Sequence, residues 1–226
     1  SGRLPSAVFH EVLTTHGTVP AVISGPSFAN EVALGFPTAL TVGCEDDAAT
    51  QQFTAWFRNE RVRVYTSTDL VGIQLGGAIK NVMAIATGIC DGLGLGANAR
   101  AALITRALAE MTRFGIALGG QAKTFSGLTG VGDLLLTATD DQSRNRRLGM
   151  GLGAGGSITK LIKEIGQEIE GINTARVLYE KSRELGIQMP ISEQVYRVIF
   201  DDLDPASAVT TLLGRAPREE IGRAHV

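Results

Sequence analysis

The 226-residue sequence has few cysteines, few histidines and no excess of positive charge. Its two cysteines, Cys44 and Cys90, form no CxxC pair, so a disulfide framework is not expected and a reducing, cytoplasmic environment is favoured. The formal net charge of −2 excludes a global basic field of the kind that attracts nucleic acid or an anionic membrane. We therefore expect neither nucleic acid nor a membrane as a partner.

The histidines are too sparse to predict a metal centre. His10, His16 and His225 lie near the chain ends without the spacing of metal ligands, so we expect no metal site. The first residues also lack a signal-peptide pattern and an initiator Met. Because the sequence opens within a helical pattern, we expect it to be a fragment of a longer protein.

One apolar run, residues 70–90, is long enough to cross a bilayer. Gln74, Lys80 and Asn81 lie near its middle, and a central Lys costs roughly 2.5–3.5 kcal/mol on membrane-insertion scales. A buried helix in the core of a globular protein accounts for this run better than a membrane span does.

The first part of the chain carries strand signals separated by a helical pattern. Residues 19–25, 37–44 and 61–67 are rich in β-branched residues and bounded by Gly, Pro or Asp, which predicts three strands. Residues 46–59 have apolar side chains at helical spacing, which predicts a helix between the last two strands. Residues 1–68 therefore resemble the closing part of an α/β sheet.

From about residue 69 onward the strand signals largely vanish, and apolar residues recur at helical spacing. Asn98 is a candidate N-cap for the second long helix. Asp204 before Pro205 marks another helix start, because Pro suits the first helical position. Residues 69–226 therefore predict an all-α domain. Its later helices are expected over residues 157–165, 172–185, 192–201 and 205–213.

Two glycine-rich stretches invite a nucleotide-binding interpretation that their context does not support. Residues 94–99 fit the pattern G-x-G-x-x-A, but the dinucleotide fingerprint requires a preceding strand, and here an apolar helix precedes it. We expect a helix–helix turn at this position. Residues 149–157 also lack a preceding strand and predict a loop.

Two residues of the helical part are candidates for chemistry. Lys80 stands in an apolar helix beside Gly76 and Gly77, which leave room for a ligand against that face. A lysine that extends from a helix edge to solvent fits equally well. Asp133 follows a glycine-rich run and is either an N-cap or a hydrogen-bond partner of Lys80 or of a substrate hydroxyl.

Two polar segments are further candidates. Residues 140–147 contain three arginines beside Ser and Asn, a combination that can hold a phosphate, although a solvated charged face fits equally. Residues 24–31 close a predicted strand with Gly, Pro and Ser, at the kind of position where open α/β sheets bind ligands. A tight turn without function is the alternative.

Taken together, these segments resemble bacterial NAD(P)-dependent glycerol-3-phosphate dehydrogenases. The resemblance implies the C-terminal part of a Rossmann dinucleotide-binding domain over residues 1–68, and over residues 69–226 an all-α domain like the C-terminal domain of 6-phosphogluconate dehydrogenase. It also implies NAD or NADP as cofactor, glycerol 3-phosphate and dihydroxyacetone phosphate as substrates, a supply of glycerol phosphate for phospholipid synthesis, and a cytoplasmic homodimer. The segments that carry the resemblance are residues 23–33, 71–111, 127–137, 141–149, 165–171 and 189–196.

The resemblance also implies roles for individual residues. Lys80 resembles the catalytic lysine, which accepts a proton during oxidation of glycerol 3-phosphate and donates one in the reverse reaction. Substrate contacts are implied for Gly25, Ser27, Lys80, Asp133, Ser143, Arg144 and Asn145. Cofactor contacts are implied for Ala29, Arg144, Glu168 and Glu170.

Two other functions fit the same sequence. A dehydrogenase of this architecture could act on a sugar acid or a hydroxy acid instead. Alternatively, the chain is a non-catalytic helical module that binds substrate or forms dimers within a Rossmann-type dehydrogenase.

Overall fold

The structure is a computed structural model that describes residues 2–13 and 18–216, so His16 and His225 lie outside the described part. The elements of its first part are α1 (Pro5–Leu13), β1 (Val22–Ser24), α2 (Ala29–Ala33), β2 (Thr38–Gly43), α3 (Asp47–Phe57) and β3 (Val62–Ser67). The strands form one sheet in the order β1–β2–β3. All three strands predicted from the sequence are found; the last two have nearly the predicted limits, whereas β1 covers three of the seven residues predicted for it.

The sheet combines two kinds of pairing. β1 pairs antiparallel with β2, and β2 pairs parallel with β3. A parallel pair needs a crossover connection, which α3 provides as predicted. The Asp46 carboxylate starts α3 by accepting a hydrogen bond from the Ala49 backbone N–H at 2.7 Å. The α/β part of the predicted fold class is confirmed.

The remainder of the described chain is helical, which confirms the all-α part of the predicted fold class. A π-helical turn (Leu128–Gly132) interrupts the series before α7 begins. The helices are α4 (Leu70–Gly92), α5 (Gly96–Ala117), α6 (Ala122–Phe125), α7 (Asp133–Thr139), α8 (Arg144–Gly153), α9 (Ile158–Ile165), α10 (Glu170–Glu184), α11 (Pro190–Phe200) and α12 (Pro205–Leu213).

The long helix α4 lies at the centre of this helical part. Among the described residues it is the one helix whose length and hydropathy would suit a membrane span, yet 72% of its most apolar window is buried inside the protein. Ile79, Val82, Met83 and Ile85 are at most 1% exposed and join the main hydrophobic core. The prediction of a buried core helix over residues 70–90 is confirmed.

Helix α8 packs against α4 with unusually close backbone contact. A Cβ atom on Gly149 would lie 2.1 Å from the Ile85 carbonyl oxygen, and one on Gly88 would lie 2.2 Å from the Arg146 carbonyl oxygen. Any side chain at either glycine would therefore push the two helices apart. This contact fixes how α8 lies along the middle of α4.

Two local predictions were wrong. Asn98 is not an N-cap, because α5 already begins at Gly96. Residues 149–157 are not wholly a loop, because α8 continues to Gly153, where packing on α4 outweighs the low helix propensity of glycine. The helix–helix turn predicted for residues 94–99 is found at its start: Gly94 lies in the connection between α4 and α5, and Gly96 begins α5, with φ of 71° and 84°.

Candidate active site

Lys80 and Asp133 form an ion pair in the interior of the helical part. Lys80 Nζ lies 2.5 Å from Asp133 Oδ1, although the two residues are 53 positions apart in the sequence. The side chain of Lys80 is 20% exposed and that of Asp133 is 4% exposed. The ammonium group is therefore paired near the surface of the core, where a small ligand could still reach it.

Asp133 is the first residue of α7 and follows the π-helical turn. Its carboxylate does not cap α7, since Gly132 occupies the N-cap position without a side-chain hydrogen bond. The N-cap interpretation of Asp133 is therefore wrong, and the interpretation as a partner of Lys80 matches the observed contact. π-helical turns are frequent at functional sites, because they turn the side chains that follow them out of the regular helical register.

Burial shapes the protonation of Asp133. Desolvation raises the pKa of its carboxyl above the usual range, while the charge and hydrogen bond of Lys80 oppose that rise. The Thr137 hydroxyl and the Gly25 backbone N–H also favour the ionised form by donating to the carboxylate. Two elements distant in sequence, α4 and the turn after β1, therefore converge on this buried acid together with Thr137 of its own helix.

The turn after β1 is one of these two elements. Gly25 is buried and has φ of 137°, a conformation that favours glycine, and its N–H faces Asp133. Ser27 donates from its hydroxyl to the Gly25 carbonyl oxygen at 3.0 Å. Ser27 and Ala29 are both exposed, and Ala29 begins α2. The turn thus places its glycine against the ion pair and leaves Ser27 and Ala29 at the surface.

The three residues of the segment Ser143–Asn145 differ in burial and in the contacts that they make. Ser143 is buried and caps α8 by accepting a hydrogen bond from the Arg146 N–H at 3.2 Å. Arg144 keeps its side chain 34% exposed and lies 3.7 Å from a carboxylate oxygen of Glu170. Asn145 is buried, and its Oδ1 accepts from the Gly171 N–H at 2.9 Å. Of the three, Arg144 has donors available to a ligand.

Asn81 connects this segment to Lys80, its neighbour in α4. Asn81 accepts from Asn145 Nδ2 at 3.1 Å and donates to Glu170 Oε2 at 3.2 Å. Glu170 in turn pairs with Arg144. The sequence interpretation missed Asn81 as a site residue, although a buried amide next to Lys80 in an apolar helix was a visible signal.

Glu168 stands apart from these contacts. It is exposed and accepts a hydrogen bond from Asn173 at 3.4 Å, within its own stretch of chain. Its implied cofactor contact stays a prediction.

In the described part of the chain, no group of three His, Cys, Asp or Glu residues is placed to hold a metal ion.

The structure also separates the arginines of residues 140–147. Arg144 is partly exposed, Arg146 is 7% exposed, and Arg147 is exposed. The interpretation of this run as a solvated charged face is therefore wrong for Arg146, which is held inside the protein.

Two family models, which describe the two ends of the same kind of protein, match this chain. The model for the NAD-dependent glycerol-3-phosphate dehydrogenase C-terminus matches residues 69–210, and the model for the N-terminus of the same proteins matches residues 1–50. The first match covers well over half of the chain, including Lys80, Asp133 and Arg144.

Individual relatives agree with these family models. The chain is 57% identical to a glycerol-3-phosphate dehydrogenase [NAD(P)+] of Thioalkalivibrio sulfidiphilus over 200 residues, covering 88% of this chain and 60% of the relative. It is 55% identical to one from Methylococcus capsulatus over 203 residues, covering 90% and 61%. The chain thus spans about 60% of the length of these curated relatives.

A solved structure shows the same fold. The crystal structure of glycerol-3-phosphate dehydrogenase from Coxiella burnetii superposes with a TM-score of 0.89 at 46% sequence identity. The similarity covers 95% of this chain and 65% of that one. The strands, the central helix and the helices around it therefore have counterparts in that glycerol-3-phosphate dehydrogenase structure.

Proposed function

This chain belongs to the NAD-dependent glycerol-3-phosphate dehydrogenase family, and we propose that it forms the catalytic and substrate-binding part of an enzyme that interconverts dihydroxyacetone phosphate and glycerol 3-phosphate. The observation that carries the proposal is the Lys80–Asp133 ion pair within the matched family region. A paired, partly exposed ammonium group beside a buried acid is suited to moving a proton at a bound substrate.

The proposed chemistry assigns one proton transfer to Lys80. NADH or NADPH, when bound, supplies the hydride to the ketone carbon. Lys80 Nζ donates a proton to the ketone oxygen during reduction and accepts it back from the hydroxyl during oxidation. General-acid assistance of this kind contributes about 10²–10⁴-fold to rate. Asp133 orients the ammonium group through their hydrogen bond.

The residues around Arg144 fit the remaining groups of substrate and cofactor. Its guanidinium is partly exposed, and its contact with a Glu170 carboxylate oxygen is long, at 3.7 Å. Its forked donors can therefore turn toward a phosphate. Gly25, Ser27, Ser143 and Asn145 would complete the substrate side. The cofactor side, for NAD or NADP, would be formed by Ala29, Arg144, Glu168 and Glu170.

Several wider properties belong to the same proposal. We place the enzyme in the cytoplasm as a homodimer that supplies glycerol phosphate for phospholipid synthesis and binds neither nucleic acid nor membrane. The free, buried thiols of Cys44 and Cys90 support a reducing compartment.

The decisive experiment removes the ammonium group in the full-length enzyme. We expect Lys80→Met to lower kcat for dihydroxyacetone phosphate by at least about 10²-fold, because the proton donor is lost. NADH affinity, measured by fluorescence titration, should stay close to that of the unmodified enzyme.

Lys160→Met is the matched control, since Lys160 is 75% exposed and its ion pair lies on the surface of α9. Near-normal turnover by Lys80→Met would contradict the proposed mechanism. Assays of the unmodified enzyme with phosphate-free ketones and hydroxy acids test the choice of substrate.

A further inference from the structure

Arg146 occupies a buried position that the proposed mechanism does not use. One terminal nitrogen of its guanidinium donates to Asp91 Oδ2 at 2.6 Å, near the end of α4, and the other donates to Asp141 in the turn before α8. Asp91 is held in turn by Arg100 of α5 at 2.9 Å. The guanidinium of Arg146 thus joins the long central helix to the turn that leads into the Ser143–Asn145 segment.

Burial of the charged Arg146 guanidinium costs desolvation free energy. Arg146 Nε is buried and has no hydrogen-bond partner within the described chain. Replacement of a buried ion pair by apolar side chains of similar size is often neutral or stabilising, so burial alone gives no reason for an arginine here. What the guanidinium provides is a fixed geometry, since its planar fork engages two carboxylates on different segments at once.

The fixed segment is the one that presents Arg144. The side chain of Asp141 is 76% exposed, so little packing holds the turn before α8, whereas the body of α8 is held on α4 by Gly149 and Gly88. Without Arg146 the helix would stay in place, because Asn145 and the glycines still hold it on α4, but the turn that leads into Ser143 and Arg144 would gain freedom.

We propose that Arg146 is a positioning residue that holds Arg144 in the orientation for binding the phosphate group of the substrate. The proposal rests on the proposed function, because it assumes that Arg144 contacts a phosphate. It separates the two arginines by role: Arg144 meets the ligand, and Arg146 fixes the segment that carries Arg144.

The test compares a phosphate-bearing substrate with its phosphate-free analogue in the full-length enzyme. Arg146→Met should lower kcat/KM for dihydroxyacetone phosphate by about tenfold or more, chiefly through KM, because a displaced group loses its binding contribution. The kcat/KM for dihydroxyacetone should change less than about threefold. Arg147→Met, at the exposed neighbouring position, should leave both values unchanged. Equal losses toward both substrates in Arg146→Met would show a merely structural role and overturn the proposal.

A double-mutant cycle gives a second, independent readout. In an Arg144→Ala background, Arg146→Met should cause no further loss of selectivity for the phosphate, because its effect passes through Arg144. An additive loss would overturn the proposal. If Arg146→Met does not fold, Asp141→Asn carries the same test, because this exposed carboxylate can be changed without disturbing the core.

The two levels of inference fail in different ways. If the unmodified enzyme does not reduce dihydroxyacetone phosphate, the proposed function itself is wrong. If it does so while the variants at Arg146 and Asp141 keep full selectivity, only the positioning role is wrong.

Discussion

At the residue scale, the Lys80–Asp133 pair illustrates how a charge is kept inside an apolar helix. Lys80 is surrounded along α4 by glycines and apolar residues, and Asp133 supplies its compensating charge from α7. A buried charge without a partner is costly, whereas a hydrogen-bonded pair is tolerated. The two residues therefore depend on each other for stability as well as for the proposed chemistry.

We predict that Asp133→Asn destabilises the fold and lowers activity together. The change leaves the ammonium group of Lys80 without its anionic partner, and we expect a loss of about 1–3 kcal/mol in the free energy of unfolding. Urea denaturation measures that loss, and the rate of NADH oxidation with dihydroxyacetone phosphate measures activity. Asp47→Asn, on the exposed first turn of α3, is the control. Unchanged stability and turnover in Asp133→Asn would argue that the pair is not formed.

At the element scale, the contact between α4 and α8 sets the distance between Lys80 and the Arg144 segment. Gly88 and Gly149 let the two backbones meet, and Asn81 and Asn145 join them by a hydrogen bond near the start of α8. Because Lys80 precedes Asn81 and Arg144 precedes Asn145, this crossing brings the two candidate site segments together. A change that separates the helices should therefore affect both stability and the site.

We predict that Gly149→Ala is strongly destabilising. The new methyl group would lie 2.1 Å from a backbone oxygen of α4, and overpacking of this kind costs about 1–3 kcal/mol or more. Gly132→Ala is the matched control, since its methyl group would meet its nearest neighbours at 3.7 Å. Thermal unfolding of both variants tests the difference. Equal melting temperatures would show that α8 does not pack on α4 in this way.

A carboxylate from a different helix accepts hydrogen bonds from backbone N–H groups at the N-terminus of α11. Glu110 of α5 is 3% exposed and accepts hydrogen bonds from the Ile191 and Ser192 backbone N–H groups at 2.7 and 3.3 Å. Burial raises the pKa of Glu110 from 4.5 to about 7, although these hydrogen bonds and the charge of Arg113 oppose the rise. The folded protein thus binds a proton here at pH values where the unfolded chain has released it.

We predict that this group makes stability fall as the pH rises through the neutral range. Its contribution is fully present below about pH 4.5 and is lost as the pH passes about 7, because the folded state then loses its extra proton. Glu110→Gln removes the titration. The stability of the unmodified protein relative to this variant should decrease between pH 5 and pH 8, by an amount on the order of 2–3 kcal/mol. A difference in melting temperature that stays constant across this range would contradict the prediction.

At the scale of the whole molecule, the chain combines a small sheet with a larger helical part, and the candidate site draws on both. Gly25 comes from the sheet part, whereas Lys80, Asp133 and Arg144 come from the helical part. The described residues contain no strand followed directly by a glycine-rich turn and a long helix, the arrangement that binds a pyrophosphate. The candidate substrate residues are therefore better represented in the described residues than a site for a dinucleotide pyrophosphate is.

We predict that residues 1–226 alone bind NADH weakly or not at all, while the full-length enzyme binds it. Isothermal titration of both proteins at the same concentration measures this difference. The full-length protein serves as the control for active cofactor. Tight binding of NADH by residues 1–226 would contradict this prediction, because the chain would then hold the dinucleotide without a pyrophosphate turn.

The sequence by itself determined the elements and the candidate residues of this protein. Strand and helix patterns predicted the three strands and the central helix, since apolar periodicity is a local property of the chain. The resemblance to a family supplied the roles of Lys80 and Arg144 from short motifs. Local patterns failed at residues 149–157, where glycine predicts a loop in isolation but allows close helix packing in the folded protein.

Only the tertiary structure decided which of these residues meet. The pairing of Lys80 with Asp133 joins positions 53 apart, and a sequence pattern does not encode which polar groups become neighbours across such a distance. The different fates of Arg144 and Arg146, two residues apart, follow from helix orientation: one side chain faces the surface and the other the interior. Burial arises only when the helices pack, and so does the desolvation that raises the pKa values of Asp133 and Glu110.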